Sequence, residues 1–313
     1  MKILIVGGAG YVGGAVTNLL NEKGYDVTVY DNLLYETEFL KDCNFIYGDI
    51  RDQNKLKKLF KIYDAIVWIA ALVGDGACNI NPNLTFQINY ESVKFLSKHY
   101  DGRIIFFSTC SVYGAQSGIL NEKSKLNPLS NYALSKLKAE KAIKNKNSII
   151  FRLGTLFGVS DNYSRIRLDL VVNTLTAKAF AEKKITIFGG NQYRPLLHVK
   201  DAAVAILNGL ISRKKGIYNL SLDNFKINEI SGKVKKFFPN LKVTKKDLEI
   251  KDLRDYRVDN SKSKKELSFN AEKSVEYGIL EIKKLLQEKR IKDINHPRYT
   301  NQKFLEVFRK NDI

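Results

Sequence analysis

Apolar residues follow two alternating rhythms through the first half of the chain. Short, nearly continuous apolar runs at Lys2–Val6, Asp26–Tyr30, Asn44–Tyr47, Ala65–Ala70, Arg103–Ser108 and Ser148–Leu153 read as buried strands. Between them, helical spacing predicts amphipathic helices at about Val12–Lys23, Asp52–Lys61, Pro82–His99 and Tyr132–Lys144. Asn81-Pro82 is a helix entry, a capping side chain followed by a proline in the first turn. Strands that take turns with helices at this rhythm make parallel β-α-β units. The pattern therefore predicts an α/β fold, a doubly wound parallel sheet. After Arg152 the rhythm loosens, and stretches near Ser160–Glu182 and Phe225–Leu286, richer in Lys and Asp, predict a smaller C-terminal lobe. The expected division is a first domain over 1–165, rejoined by 193–222, and a lobe built from 166–192 and 223–313. No repeat and no linker rich in Pro or Ser interrupts the chain.

Composition narrows the class. With 313 residues and 44% hydrophobic content, the chain can bury a large core. The longest apolar run, Ala65 to Gly74, is strand-sized and far short of a membrane span. The opening Met1-Lys2-Ile3-Leu4-Ile5-Val6 gives way to glycine too soon for a signal-peptide apolar region, so a cytoplasmic protein is expected. Cys43, Cys78 and Cys110 have neither metal-ligand spacing nor an even disulfide framework, which predicts free thiols and no metal. A net charge of +19 raises the question of nucleic acid. The lysines, however, lie in amphipathic stretches such as Lys55-Leu56-Lys57-Lys58-Leu59-Phe60-Lys61, without an arginine-rich arm or an aromatic RNA-binding motif. They read as solvated faces that would also favour a small phosphate-bearing ligand.

The first strand runs into Gly7-Gly8-Ala9-Gly10-Tyr11-Val12-Gly13. Gly7 suits a tight turn, Gly10 a close backbone approach to a pyrophosphate, and Gly13 a helix closing on the sheet. The helix N-terminus then faces the anion with unpaired N–H groups. Asp31 ends the second strand in Val29-Tyr30-Asp31-Asn32. A carboxylate there accepts the ribose hydroxyls of NAD and repels the 2′-phosphate of NADP, and no arginine follows to receive that phosphate. Asp49, in Gly48-Asp49-Ile50, ends strand three, where an acid meets the adenine amine. Ala70 and Ala71 end strand four, small enough for a dinucleotide to lie against the backbone. These residues predict a Rossmann domain that binds NAD.

Tyr132-Ala133-Leu134-Ser135-Lys136 sets a tyrosine and a lysine on one helical face. A tyrosine, with its reference pKa of about 10, is protonated at neutral pH and no base, unless positive charge nearby, the lysine ammonium together with that of the nicotinamide, favours the phenolate. Lowering the pKa by about three units takes roughly 4 kcal/mol, which one close cation at intermediate dielectric supplies. Upstream, strand five ends in Phe106-Phe107-Ser108-Thr109-Cys110-Ser111-Val112-Tyr113-Gly114, placing hydroxyls at the carboxyl edge of a parallel sheet, where ligands bind.

Taken in this order, the glycine loop, Asp31, Thr109 and the Tyr132/Lys136 pair resemble the extended short-chain dehydrogenase/reductases. The resemblance is to the NAD-dependent epimerase/dehydratase branch that acts on nucleotide sugars, over nearly the whole chain. It implies that Tyr132 is the general base, that Lys136 lowers its pKa and holds the nicotinamide ribose, and that Thr109 bonds the reacting hydroxyl. It implies further cofactor contacts at Gly7, Gly10, Tyr11, Val12, Gly13, Asp31, Asn32, Asp49, Ile50, Ala70, Ala71 and Ser108. Arg194 and Arg254 resemble arginines that grip the substrate pyrophosphate, with Ser111, Thr155 and Asp169 beside the substrate, while His198 reads as structural. The smaller lobe would then bind substrate. Homodimers through the Pro82–His99 and Tyr132–Lys144 helices are implied as well.

Departures from the family narrow the chemistry. The family's 4,6-dehydratases carry Asp-Glu immediately after the threonine, where this chain has Cys110-Ser111, neither suited to proton transfer at neutral pH. Oxidation at C4 without loss of water is therefore expected. Thr155 and Asp169 stand where UDP-galactose-type epimerases resemble one another in carrying Asn. A carboxylate facing phosphate is unfavourable, whereas guanine offers it N1–H and an amine. The expectation leans to a net 4-dehydrogenase on a GDP-linked mannose- or heptose-type sugar of capsule synthesis, with a UDP-linked 4-epimerase as the alternative. A third reading is a non-catalytic NAD- or RNA-binding regulator on the same fold.

Overall fold

The computed structural model describes residues 1–247 and 255–309. The chain opens with β1 (Lys2–Val6) and α1 (Tyr11–Glu22), then β2 (Asp26–Asp31), β3 (Asn44–Tyr47), α2 (Gln53–Leu59) and β4 (Ala65–Trp68). Next come α3 (Asp75–Ile80), α4 (Pro82–Phe86), α5 (Ser92–His99), β5 (Arg103–Thr109), β6 (Ile119–Leu120), α6 (Asn131–Ile143) and β7 (Ser148–Leu153). The second half adds β8 (Thr155–Phe157), α7 (Val171–Glu182), β9 (Lys184–Phe188), β10 (Tyr193–His198), α8 (Val199–Ile211) and β11 (Gly216–Leu220). It ends with β12 (Asp223–Lys226), α9 (Ile227–Phe237), β13 (Lys242–Lys246), β14 (Arg257–Val258), α10 (Ser261–Leu267), α11 (Val275–Gln287) and α12 (Asn301–Phe308).

A seven-stranded parallel sheet in the order β3-β2-β1-β4-β5-β7-β11 forms the centre, a Rossmann fold. Alternation along β1 explains its two coats. Ile3 and Ile5 join Val16, Leu20, Ile206 and Leu210 of α1 and α8 on one face, while Leu4 and Val6 join Leu56, Val93, Leu96 and Ile143 of α2, α5 and α6 on the other. Both faces are covered, so the strands read as unbroken apolar runs. The chain crosses between sheet halves at β1 and β4, and the crevice at their carboxyl ends is where such sheets bind ligands.

Beyond β7 the chain builds smaller sheets, β12-β10-β8 and β13-β9, around a second core of Val172, Leu175, Ile185, Ile187, Ile230, Val234 and Ile279. It also returns to the large sheet, α8 packing near α1 and β11 pairing with β7. His198 is fully buried, its Nε2 2.8 Å from a Glu281 oxygen and its Nδ1 accepting the Lys200 N–H at 3.1 Å. Among the described residues, no helix is long and apolar enough to cross a membrane.

Two local features differ from the sequence expectation. The predicted Pro82–His99 helix carries a π-helical turn at Gln87–Glu91. Asn89 in that turn is buried, donates to Leu72 O and Ser135 Oγ, and accepts the Leu72 N–H. Helical periodicity cannot reveal such a turn. Strand β4 ends at Trp68 rather than Ala70, because the N–H groups of Ile69 and Ala70 both turn onto Val6 O at 2.8 Å.

Candidate active site

One cavity opens at the carboxyl edge of the sheet, and every residue expected to touch a dinucleotide lies on its wall. The glycine loop fits that ligand sterically. Gly7 has φ +90°, and a Cβ there would lie 2.4 Å from Ala70 N, while one on Gly13 would lie 2.0 Å from Gly7 O. Gly10, by contrast, meets nothing nearer than Gly7 O at 3.8 Å, so its outer side is open. As the N-cap of α1 it has no side-chain cap, which leaves the first amides of the helix for a ligand.

Asp31 closes β2 with its carboxylate accepting Ala9 N–H at 3.0 Å and Leu33 N–H at 2.8 Å. Burial raises its pKa, and these bonds work against that rise. Each oxygen keeps lone-pair capacity for a diol. Asn32 and Ile50 share the wall. Asp49 does too, but the Arg51 guanidinium forks onto it at 2.9 and 2.6 Å. Burial opposes the Asp49 charge, yet the Arg51 bonds hold its carboxyl below the ordinary range.

Helix α6 brings Tyr132 and Lys136 to the same cavity. Ser130 caps that helix by accepting the Ala133 N–H at 3.2 Å. Burial acts on the proton affinities of both groups. Burial pushes the Tyr132 hydroxyl well above its usual range, reinforced by Cys78 and opposed by a hydrogen bond with Thr109. Burial likewise pulls the Lys136 ammonium down to about 7, against Glu140. Desolvation, which the helical spacing could not reveal, thus acts on both groups at once. Lys136 Nζ rests 4.2 Å from the Phe106 ring centroid.

The end of β5 supplies the hydroxyls. Thr109 Oγ1 lies 3.2 Å from Ser111 Oγ, which in turn lies 3.3 Å from Tyr256 Oη. Ser108 lines the cavity, but its hydroxyl is donated to Glu140 Oε1 at 2.5 Å instead of facing a ligand. Cys110 is fully buried and directs its thiol to Arg152 O at 3.2 Å; burial raises its pKa far above the usual thiol range.

The expected substrate residues fare differently. Asp169 has partners within the protein. Arg167 forks onto its carboxylate at 2.9 Å through both Nε and Nη2, and the Asn301 N–H donates to it at 3.0 Å. From β8 the cavity takes Leu156, not Thr155. Arg194 is buried on β10 and donates to Tyr193 O at 2.8 Å. Arg254 lies outside the described residues.

Sequence reasoning missed several wall residues. Tyr35, Glu36, Arg165, Arg167 and Asn301 all line the cavity. Arg165-Ile166-Arg167 was visible as a basic pair, but nothing local ties it to a glycine loop so far upstream.

The model of the NAD dependent epimerase/dehydratase family matches residues 3–221. A UDP-glucose 4-epimerase of Streptomyces lividans is 28% identical over 260 residues, covering 73% of this chain and 78% of that one. A dTDP-glucose 4,6-dehydratase of Streptomyces niveus is 26% identical over 245 residues, 70% of this chain and 72% of that one. Among solved structures, a UDP-glucose 4-epimerase of Thermotoga maritima with UDP-glucose superposes with a TM-score of 0.80 at 22% identity. That match covers 92% of this chain and 99% of that one.

Proposed function

The chain belongs to the NAD dependent epimerase/dehydratase family, and on that premise we propose that it is a 4-epimerase of UDP-linked hexoses. That it is an NAD-dependent nucleotide-sugar enzyme follows from the family. The observation that carries the finer reading is the Thr109 side chain acting on Tyr132, which lines the cavity, with a buried Cys110 thiol turned to Arg152 O in the next position. C4 oxidation needs a base on the hydroxyl proton; elimination of water needs a further acid and base after the threonine, and the side chains there are a buried thiol and a hydroxyl bonded to its neighbours.

In this reading Thr109 holds the C4 hydroxyl and Tyr132 takes its proton, while Lys136 holds the cofactor ribose. When bound, NAD supplies the hydride acceptor and a ring cation that favours the phenolate. Tyr132 and Thr109 then serve the return reaction on the opposite sugar face. The engagement of Asp169 with Arg167 gives its carboxylate a partner within the protein, and the relatives named as UDP-glucose 4-epimerases favour uracil and hydride return. The reading includes a homodimer formed through α4, α5 and α6.

The test uses UDP-glucose deuterated at C4, with a GDP-linked hexose in parallel. Conversion to UDP-galactose with the label kept in the sugar is expected. A product lighter by one water, or a 4-ketone with the label in the cofactor fraction, rejects the epimerase.

Asp31 gives a second expected result. Replacing it with Ala removes a charged acceptor from the adenosine ribose, worth about 10–100-fold in NAD affinity. The same change relieves repulsion of a 2′-phosphate, so the preference for NAD over NADP narrows. Calorimetry on both cofactors reads this directly, and a wild-type protein that binds NADP as tightly as NAD sinks the assignment.

A further inference from the structure

The segment from Asp161 to Asp169 lies across the glycine loop and is pinned there from several sides. Asp161 forms a buried ion pair with Lys41 and accepts the N–H groups of Tyr163 and Ser164 at 2.7 and 2.6 Å. Ser164 Oγ approaches Ala9 O at 3.5 Å, and a Cβ on Gly14 of α1 would collide with that same hydroxyl. The Arg165 N–H donates to Glu36 at 2.7 Å. This anchoring sets two arginines on the wall that also holds Gly7, Gly10 and Gly13.

The charge of Arg165 is poorly compensated. Arg165 is buried, and among the described residues no carboxylate forms an ion pair with its guanidinium. It donates to two neutral acceptors, Arg298 O at 2.9 Å and Asn301 Oδ1. It also stacks 4.4 Å from the Tyr35 ring centroid, whose buried hydroxyl has no hydrogen-bond partner. Arg167, also buried, pairs among the described residues with Asp169, which holds the guanidinium pKa above its usual value against burial, and lies 5.8 Å from the Tyr11 ring centroid. Burial and the neighbouring Arg167 pull the Arg165 pKa down to about 10, as expected of a cation held close to another without enough counter-charge. Glu36 does little to offset this, since burial raises its own pKa to about 7.

We propose that Arg165 and Arg167 supply the side-chain charges for the cofactor pyrophosphate, complementing the amides of the glycine loop. A doubly charged anion at the N-terminus of α1 would offset the buried cations, and guanidinium groups suit phosphate oxygens by fork geometry. The proposal needs NAD as cofactor but does not depend on which sugar reaction the site performs.

Calorimetric titration with NAD, ADP, adenosine and UDP tests it, with thermal unfolding as the control for folding. Arg165→Gln is expected to weaken NAD and ADP about 10–100-fold while changing adenosine by less than about twofold, since adenosine lacks the phosphates. Arg165→Lys should recover part of the loss. Arg167→Gln is made together with Asp169→Asn, so that no buried carboxylate is orphaned, and the same ADP-selective loss is expected. ADP binding that matches wild type, equal losses for ADP and adenosine, or a loss confined to UDP each overturns the proposal.

Discussion

Tyr132→Phe lowers the rate of hydride transfer about 10²–10⁴-fold, the usual contribution of a positioned acid–base group. Phenylalanine keeps the ring, so the buried wall of α6 holds its shape and affinity for the nucleotide sugar stays close to wild type. The missing oxygen is the one on which Thr109 acts and which the proposed mechanism uses as the base. Burial, with Cys78 and Asp75, raises this hydroxyl's pKa, so the proposed base depends on the bound ring cation to favour the phenolate. Single-turnover absorbance of the reduced nicotinamide measures the step directly. A rate near wild type would falsify the assignment of Tyr132 as the base.

Glu140→Ala costs about 3–5 kcal/mol of stability, the range for breaking one partner of a buried ion pair. Glu140 and Arg152 are both almost fully buried, with Nη2 2.7 Å from Oε2 and Nε 3.0 Å from Oε1. Ser108 donates to the same carboxylate, and Arg152 reaches Tyr113 Oη at 3.0 Å, which donates to Asn219 at 2.7 Å. This chain of bonds ties α6, the end of β5, β7 and β11 together beneath Lys136. Removing the acid leaves a guanidinium with no charge partner in an apolar layer. Urea unfolding should show the loss, and Glu140→Leu with Arg152→Met should be less destabilised than Glu140→Ala alone. A Glu140→Ala loss under about 1 kcal/mol, as for an exposed pair, contradicts the reading.

How much of this was legible depended on distance along the chain. The strands and helices around the large sheet follow from local periodicity, and the glycine loop, Asp31 and Tyr132/Lys136 carry their meaning within a few neighbours. The partners of Asp169 were not legible, because Arg167, two positions away, and Asn301, 132 positions away, both bond its carboxylate through the fold. Ser108 was expected to face the crevice because strand position gives a direction, whereas Glu140 on another element decides where the hydroxyl bonds. Arg165 drew no reading at all, since its partners at Glu36, Arg298 and Asn301 lie far off in sequence. The burial of Tyr132 and Lys136 was illegible for a related reason: it depends on the whole wall, and spacing on a helix says nothing about it.

The cavity also has a history in time. Asn301 donates to Val73 O at 2.8 Å, a contact across 228 positions, and Arg309 reaches Leu34 O at 3.0 Å. A ribosome adding about 5–20 residues per second finishes the glycine loop roughly 15–60 s before it reaches Asn301. During that interval the nascent chain presents the loop without the residues that later close over it. The complete wall of the cavity therefore exists only once α12 has been made and has docked, long after the first β-α-β unit emerges.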